Sequence, residues 1–112
     1  MAKQLRELIF VLRAGKPAAF ATDFLHYGVV GSGDMEVIME RQALDGAVRI
    51  KVQTPVIGFD EVWKRVLERF VNETGLADAS VEINDNNATP VVVTLRLHQA
   101  LAEIAQGGAR HV

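Results

Sequence analysis

A serine bracketed by glycines lies between two strand-like segments, and this arrangement constrains the fold more than any other feature of the chain. Residues 29–40 read V-V-G-S-G-D-M-E-V-I-M-E, which places Ser32 between Gly31 and Gly33. Glycine accepts positive φ without a Cβ clash, so this pattern between alternating apolar runs is typical of a hairpin turn. The sequence therefore predicts antiparallel strands at residues 24–30 and 34–41.

The length of the turn follows from which residues share a face of the hairpin. A two-residue loop pairs Val29 with Glu36 and mixes apolar and charged side chains on both faces. A three-residue loop, residues 31–33, pairs Val29 with Met35 and separates the two faces. Its last residue is a glycine, which suits the left-handed conformation that ends such loops, so the Ser32 hydroxyl is predicted to protrude at the apex.

Size and charge limit the classes of function. A chain of 112 residues has the length of one domain, so we expect a single domain over residues 1–112. A net charge of −2 gives no electrostatic case for binding nucleic acid or an anionic membrane. The apolar run at residues 8–12 is too short for a membrane span. The charged Glu7 directly before it does not fit the apolar segment of a secretory signal, so a cytoplasmic protein is predicted.

Short alternating segments predict the remaining strands. Ile-Phe-Val within residues 1–20 favours a strand there, although the leucines of the same segment also fit a helical stripe. Residues 47–53 alternate clearly, and antiparallel pairing with the preceding strand would put Val37 near Ile50. Residues 79–84 are predicted as a further short strand.

Two helices are predicted from apolar residues at helical spacing, and in the first of them these residues, Val62 and Val66 among them, form one broad face toward the sheet. The first, residues 60–73, begins with Asp60 as the expected N-cap and is ended by Gly75.

The second helix, residues 89–106, begins with Thr89 as the expected N-cap and Pro90 at the first helical position. Its residues 91–98 also alternate as a strand would, but length and the following glycines favour helix. The element order predicts an α+β fold, with two helices on one face of a mainly antiparallel sheet of four to five strands.

Ser32 is the residue most suited to chemistry, and three interpretations of it remain open. Residues 31–34 alone are typical of a plain turn in which Asp34 caps backbone N–H groups. A serine nucleophile needs a base within reach, but the loop offers only Asp34 and no nucleophile-elbow motif. In the third interpretation another enzyme modifies the hydroxyl, and the flanking glycines let the loop enter that enzyme's cleft.

No metal site is predicted. The three histidines lack metal-ligand spacing, and the absence of cysteine excludes thiolate ligands and disulfides. Residues 84–86 read N-D-N but lack the glycine and glutamate of a calcium-binding loop.

Four segments together resemble the acyl carrier subunit of malonate decarboxylase. They are V-V-G-S-G-D-M-E-V at 29–37, V-R-I-K-V at 48–52, G-F-D-E-V-W-K-R-V-L-E-R-F at 58–70 and I-N-D-N-N-A-T-P at 83–90. The resemblance covers roughly residues 24–104, and residues 1–20 carry little of it. The acyl carrier (gamma) subunit of citrate lyase shares the S-G-D core, but the wider motifs are more similar to the malonate form.

The resemblance implies that Ser32 carries covalently attached 2′-(5″-phosphoribosyl)-3′-dephospho-coenzyme A, with Gly31, Gly33 and Asp34 around the attachment point. It also implies an acyl-transferase subunit that exchanges acetyl for malonyl on the terminal thiol, decarboxylase subunits that release carbon dioxide, and a transferase that attaches the group. The chain would be a carrier with no catalytic residue of its own. The citrate lyase carrier and a non-modified interaction module are the alternatives.

Physical reasoning agrees with a carrier role. Thioester chemistry in a chain without cysteine needs a thiol supplied by a cofactor, and a flexible arm raises its effective concentration at several active sites in turn. Stable docking would hinder that exchange, so contacts around Ser32 are expected to be modest, with Arg49 or Lys51 lining the approach.

Overall fold

The computed structural model describes residues 6–17, 27–31, 35–86 and 88–105. These residues form an α+β fold, as predicted, and both the strand expected within residues 1–20 and the helix expected over residues 91–98 are confirmed. The elements are β1 Arg6–Leu12, β2 Tyr27–Gly31, β3 Met35–Arg41, β4 Val48–Thr54, α1 Asp60–Thr74, β5 Ala79–Asp85 and α2 Pro90–Ala105.

The five strands form one sheet in the order β1-β4-β5-β3-β2. Neighbouring strands are antiparallel except for β4 and β5, which are parallel and are joined by α1 as a crossover. The sheet is therefore mainly antiparallel, as expected.

The predicted pairing of β3 with β4 is wrong, because β5 lies between them. Val37 pairs with Ile83 and Ile50 pairs with Val81. Residues 79–84 of β5 alternate between buried apolar and half-buried polar residues, so the strand buries more apolar area in the centre of the sheet than at an edge. This gain outweighs the local preference for a direct β3–β4 hairpin.

One face of the sheet carries the core. Strand side chains alternate between faces, and the inward positions of the three central strands are almost completely buried: Met35, Val37, Met39, Val48, Ile50, Val52, Ala79, Val81 and Ile83. Both helices pack on this face and add Trp63, Leu67, Phe70, Val71, Val93, Leu97, Ala100 and Leu101. Each large apolar side chain buried there contributes about 1.5–3 kcal/mol.

The helix boundaries agree with the sequence, with one correction. Asp60 is the first residue of α1 and not its N-cap, which is Phe59 and makes no side-chain capping bond. The Asp60 carboxylate instead accepts two hydrogen bonds from Arg6, at 2.9 and 3.2 Å, and these lower the pKa of Asp60. Gly75 ends α1 with φ 74°, as predicted.

The beginning of α2 is also as predicted. The Thr89 hydroxyl accepts the Val92 N–H at 3.3 Å, so Thr89 caps a helix whose first residue is Pro90. Within the described ranges no helix is both long and apolar enough to cross a membrane. The same ranges contain no group of acidic and histidine side chains that could hold a metal ion.

Candidate functional site

The strands on either side of Ser32 form the predicted hairpin, but their register differs by two residues from the prediction. Val29 pairs with Val37 and Gly31 with Met35, whereas Val29 was expected opposite Met35. The three connecting residues are therefore 32–34 instead of 31–33. A shift of two keeps every residue on its face, so the separation of faces could not distinguish the two registers.

Of the predicted site residues, Gly31 alone lies within the described part of the chain, as the last paired residue of β2. The predictions for Ser32, Gly33 and Asp34, namely the apex position, the left-handed glycine and the capping carboxylate, fall outside the described residues. The structure does show where the pairing of β2 with β3 ends.

The pairing ends at one end of the sheet, which we term the open end. It is defined by Gly31, Met35, Asp85 and Thr54, one residue from each of four strands. Gly31 pairs with Met35, and Met35 pairs with Asp85. The Thr54 hydroxyl, on the next strand, donates a hydrogen bond to Asp85 at 2.7 Å. Because neighbouring strands lie about 4.8 Å apart, the backbone of Gly31 is about 10 Å from that of Asp85.

The expected basic residues are not at this end. Lys51 lies three residues before Thr54 on β4, with its ammonium group 3.9 Å from Glu7, and Arg49 lies further along the same strand. Two strands separate β4 from β2, a distance of about 14 Å across the sheet. The prediction that Arg49 or Lys51 lines the approach to Ser32 is therefore wrong.

A mostly apolar pocket of about 290 Å³ lies at the open end, on the helix side of the sheet. We term it the open-end pocket. It is lined by Val56, Phe59, Val62, Trp63, Val66, Asp85, Ala88, Thr89, Pro90 and Val93. These residues come from the first turns of the two helices and from the segments that lead into them, so the topology of the sheet produces the pocket.

The parallel strands explain why a pocket forms here. Both β4 and β5 run toward the open end, and each is followed by a helix that starts there. In open parallel α/β sheets, ligands bind in the crevice outside the carboxyl ends of the strands, and the pocket here lies at the corresponding end of the two parallel strands. The short side chains of Val62, Val66 and Val93 leave the space between the two helix starts open.

Asp85 is the charged group in the pocket wall. Its side chain accepts hydrogen bonds from the Thr54 hydroxyl at 2.7 Å and from the Ala88 N–H at 2.8 Å. Only 6% of the residue is exposed. Each carboxylate oxygen has a second lone pair, so Asp85 can still accept a hydrogen bond from a group in the pocket.

Sequence reasoning assigned the valines of α1 to its core face and missed the pocket. Trp63, Leu67, Phe70 and Val71 are buried, but Val62 and Val66 are only half-buried although they belong to the same apolar stripe. The sequence did contain a signal for the pocket: the apolar stripe of α1 is wider than the surface that the sheet can cover.

The opposite end of the sheet, which we term the closed end, is covered by the β3–β4 loop, residues 42–47. The carboxylate of Asp78 accepts hydrogen bonds from the backbone N–H groups of Leu44, at 3.0 Å, and Gly46, at 2.8 Å. These bonds lower the pKa of Asp78, and the bond from Gly46 has the larger effect. Asp78 has φ 54°, a conformation that aspartate tolerates better than most residues.

Comparisons with known proteins agree with the resemblance seen in the sequence. The family model described as "ACP: Malonate decarboxylase delta subunit (MdcD)" matches residues 23–104, close to the expected range of 24–104. The malonate decarboxylase acyl carrier protein of Malonomonas rubra is 50% identical over 103 residues, which cover 92% of each chain. That of Stenotrophomonas maltophilia (strain R551-3) is 42% identical over 91 residues, covering 81% of this chain and 86% of the relative.

A solved structure supports the same assignment. One chain in the crystal structure of a Pseudomonas malonate decarboxylase hetero-tetramer in complex with malonate is 36% identical, with a TM-score of 0.70. The match covers 88% of this chain and 98% of that chain. Sequence identity, coverage and fold lead to one conclusion: the chain belongs to the malonate decarboxylase delta subunit (MdcD) family of acyl carrier proteins.

Proposed function

We propose that this chain is the acyl carrier subunit of a malonate decarboxylase and that Ser32 is the attachment residue of its prosthetic group, 2′-(5″-phosphoribosyl)-3′-dephospho-coenzyme A. The observation that carries the proposal is the 50% identity with a malonate decarboxylase acyl carrier protein across 92% of both chains. The group supplies a terminal thiol that carries acetyl or malonyl as a thioester.

The residues around the attachment point fit a bulky covalent group. The β2–β3 ladder ends at Gly31, one residue before Ser32, so the sheet fixes the chain up to the attachment residue. Glycines on both sides of Ser32 and the short side chain of Asp34 leave room for a nucleotide and for the enzyme that adds it. No cysteine is present, so the thiol of a thioester must come from a bound group.

The proposed partners are an acyl-transferase subunit, decarboxylase subunits and, before assembly, the transferase that attaches the group, all in the cytoplasm. The similarity to a chain of a malonate decarboxylase hetero-tetramer supports the first two. In this proposal the chain holds the acyl arm and presents it, and the partner subunits provide the catalytic groups. The alternative of a citrate lyase carrier is disfavoured, because the matching family is that of malonate decarboxylase.

The test is the intact mass of the full chain coexpressed with its attachment enzymes. The wild-type protein should exceed the mass of the unmodified chain by one prosthetic group, and Ser32→Ala should abolish the increment. The only other serine, Ser80, is half-buried on β5 and offers a matched control: Ser80→Ala should retain the increment.

Two results would count against the proposal. An unmodified mass for the wild-type protein would refute the carrier function. Full decarboxylase activity of a complex assembled with Ser32→Ala would favour the remaining alternative, a non-modified interaction module.

A further inference from the structure

The open-end pocket is an apolar cavity with two aromatic walls, close to the residue that we propose as the attachment point. Phe59 is 48% exposed at its mouth, and Trp63, 6% exposed, lies deeper. Its volume of about 290 Å³ is at the lower limit of the roughly 300–1,000 Å³ typical of ligand sites. A pocket of this size suits one flat ring system and not a whole dinucleotide.

We infer that the open-end pocket binds the adenine ring of the chain's own prosthetic group, an inference that rests on the proposed function. The ring would lie against Phe59 and Trp63, with its exocyclic amino group donating to the Asp85 carboxylate. The rest of the arm, which begins on the far side of the adenosine, would project from the mouth of the pocket toward the partner subunits.

The distance from the tether supports adenine as the occupant. Ser32 follows Gly31, whose backbone is about 10 Å from that of Asp85 in the pocket wall. In the proposed group one phosphodiester and two linked sugars separate the serine oxygen from the base, so the base can reach this distance. The thiol is at the other end of the group, beyond the diphosphate and pantetheine, and must leave the carrier to react.

The pocket has the chemistry that an adenine needs. Bases stack on aromatic side chains because every base has a π-face, and Phe59 and Trp63 supply such surfaces. The exocyclic amino group of adenine is a hydrogen-bond donor, and the Asp85 carboxylate has acceptor capacity left beyond its bonds to Thr54 and Ala88. The pantetheine end of the arm has amide N–H donors but no aromatic surface that could stack on Phe59 and Trp63.

Because the adenine is covalently tethered to the carrier, weak binding is enough for it to occupy the pocket. A ligand on a short flexible linker has an effective concentration of about millimolar, so the base can occupy the pocket and still exchange. A docked nucleotide would shorten the free part of the arm and fix the direction in which it leaves the carrier. A carrier that serves several active sites gains from a defined exit direction without permanent docking.

The test uses the full-length holoprotein, with the attached group verified by intact mass. Nuclear Overhauser contacts are expected between the adenine ring protons and the methyl groups of Val62, Val66 and Val93. Trp63 is the only tryptophan, so its fluorescence reports on this pocket alone. Its emission should be lower in the holoprotein than in Ser32→Ala, because a stacked base quenches the indole.

Two variants, each with the group attached, test the pocket itself. Phe59→Ala should lower the ratio of docked to free adenine about five- to 150-fold, and Ala88→Leu should displace the base by filling the pocket from the α2 side. Both should restore Trp63 emission. Ile57→Ala is the matched control, because Ile57 is 73% exposed two residues from Phe59 and does not line the pocket.

The outcomes separate this inference from the function on which it rests. A correct mass increment without contacts between adenine and the valine methyl groups would overturn the inference and leave the carrier function standing. Contacts from the geminal methyl groups of the pantetheine arm in place of the base would also overturn it. A missing mass increment would refute the carrier function and the pocket assignment together.

Discussion

An aspartate flanks each end of β5, and the two ends are used differently. Asp78, before the strand, accepts N–H groups of the β3–β4 loop at 3.0 and 2.8 Å. Asp85, the last residue of the strand, accepts the Thr54 hydroxyl at 2.7 Å and the Ala88 N–H at 2.8 Å. Both carboxylates fix a neighbouring loop, but the two ends differ in their cavities. The first end has a shallow, more polar depression beside its loop, lined by Arg41, Ala43, Asp45, Gly46 and Asp78, and the second has an apolar pocket between two helix starts.

The difference arises from the connections. At the closed end the chain passes directly from β3 to β4 across the start of β5, with backbone hydrogen bonds from Gln42 to Asp78 and from Asp78 to Ala47 at 3.0 and 2.9 Å. At the open end both parallel strands continue into helices, and the helix starts leave a cavity. The comparison contrasts an end at which hydrogen bonds join a loop to β5 with an end that has an apolar pocket between two helices.

The largest expected effect is on α1, which spans both ends. Phe70→Ala should destabilise the protein by about 3–5 kcal/mol, since the side chain is 1% exposed in the core. Trp63→Ala should fall in the lower part of the same range of about 3–5 kcal/mol, although tryptophan is larger, because its side chain lines the open-end pocket and therefore has fewer packed neighbours than a side chain inside the core. Urea denaturation measures both.

The exposed residue Lys64 on the same helix serves as the control, and Lys64→Ala should change stability by no more than about 0.5 kcal/mol. A Trp63→Ala variant that is less stable than Phe70→Ala would contradict the contrast between the filled core around Phe70 and the incomplete packing around Trp63 at the pocket.

The next effect concerns the hydrogen bond that closes the wall of the pocket. Asp85→Ala should destabilise the protein by about 1–3 kcal/mol, because the buried Thr54 hydroxyl and the Ala88 N–H lose their acceptor. Thr54→Val should have an effect of the same order, since the Asp85 carboxylate keeps its bond to Ala88 but the Val56 N–H loses the Thr54 hydroxyl as its acceptor. A double-mutant cycle measured by urea denaturation should give a coupling of about 0.5–3 kcal/mol between Asp85 and Thr54; strict additivity would show that the bond contributes nothing.

The same comparison shows where sequence reasoning succeeds. Local patterns predicted the strands, both helices, the helix end at Gly75 and the N-cap at Thr89, because each depends on residues close together in the chain. The faces of the β2–β3 hairpin were also predicted. Its register was not, because a shift of two residues leaves the faces unchanged.

The features that could not be predicted are non-local. The insertion of β5 between β3 and β4 depends on which arrangement buries more apolar surface, and alternation within a strand does not reveal its neighbours. The bonds of Asp78 to the β3–β4 loop and of Asp60 to Arg6 join residues 32 or more positions apart. The open-end pocket depends on the same topology, so the motif around Ser32 could be recognised in the sequence whereas the pocket could not.

A smaller effect is expected from the closed end in acid. Hydrogen bonds from the N–H groups of Gly46 and then Leu44 lower the pKa of Asp78 below its ordinary value of 3.8. A lowered folded-state pKa stabilises the fold above the ordinary value, and this stabilisation is lost as the pH falls through the folded-state pKa. Asp78→Asn keeps an acceptor oxygen and tolerates φ 54°, so it should weaken the decrease of the melting temperature between about pH 5 and pH 2.

The weakening should be partial, because the Arg6–Asp60 ion pair lowers the pKa of Asp60 and acts in the same pH range. Asp45→Asn is the control, since Asp45 lies in the β3–β4 loop and also has a positive φ, of 58°. An equal change in the acid transition of Asp45→Asn would contradict the role given to Asp78.

The smallest expected effect on stability is that of Ser32→Ala. The β2–β3 ladder ends at Gly31 and Met35, so loss of the Ser32 hydroxyl removes no bond of the sheet, and the change should lie within about ±0.5 kcal/mol. Unmodified wild type and Ser32→Ala should therefore have the same urea midpoint. The holoprotein should unfold at higher urea than either, because a group that binds only the folded pocket stabilises the fold. Equal midpoints for all three proteins would show that the open end gains no stability from the attached group, and the two ends would then differ in shape alone.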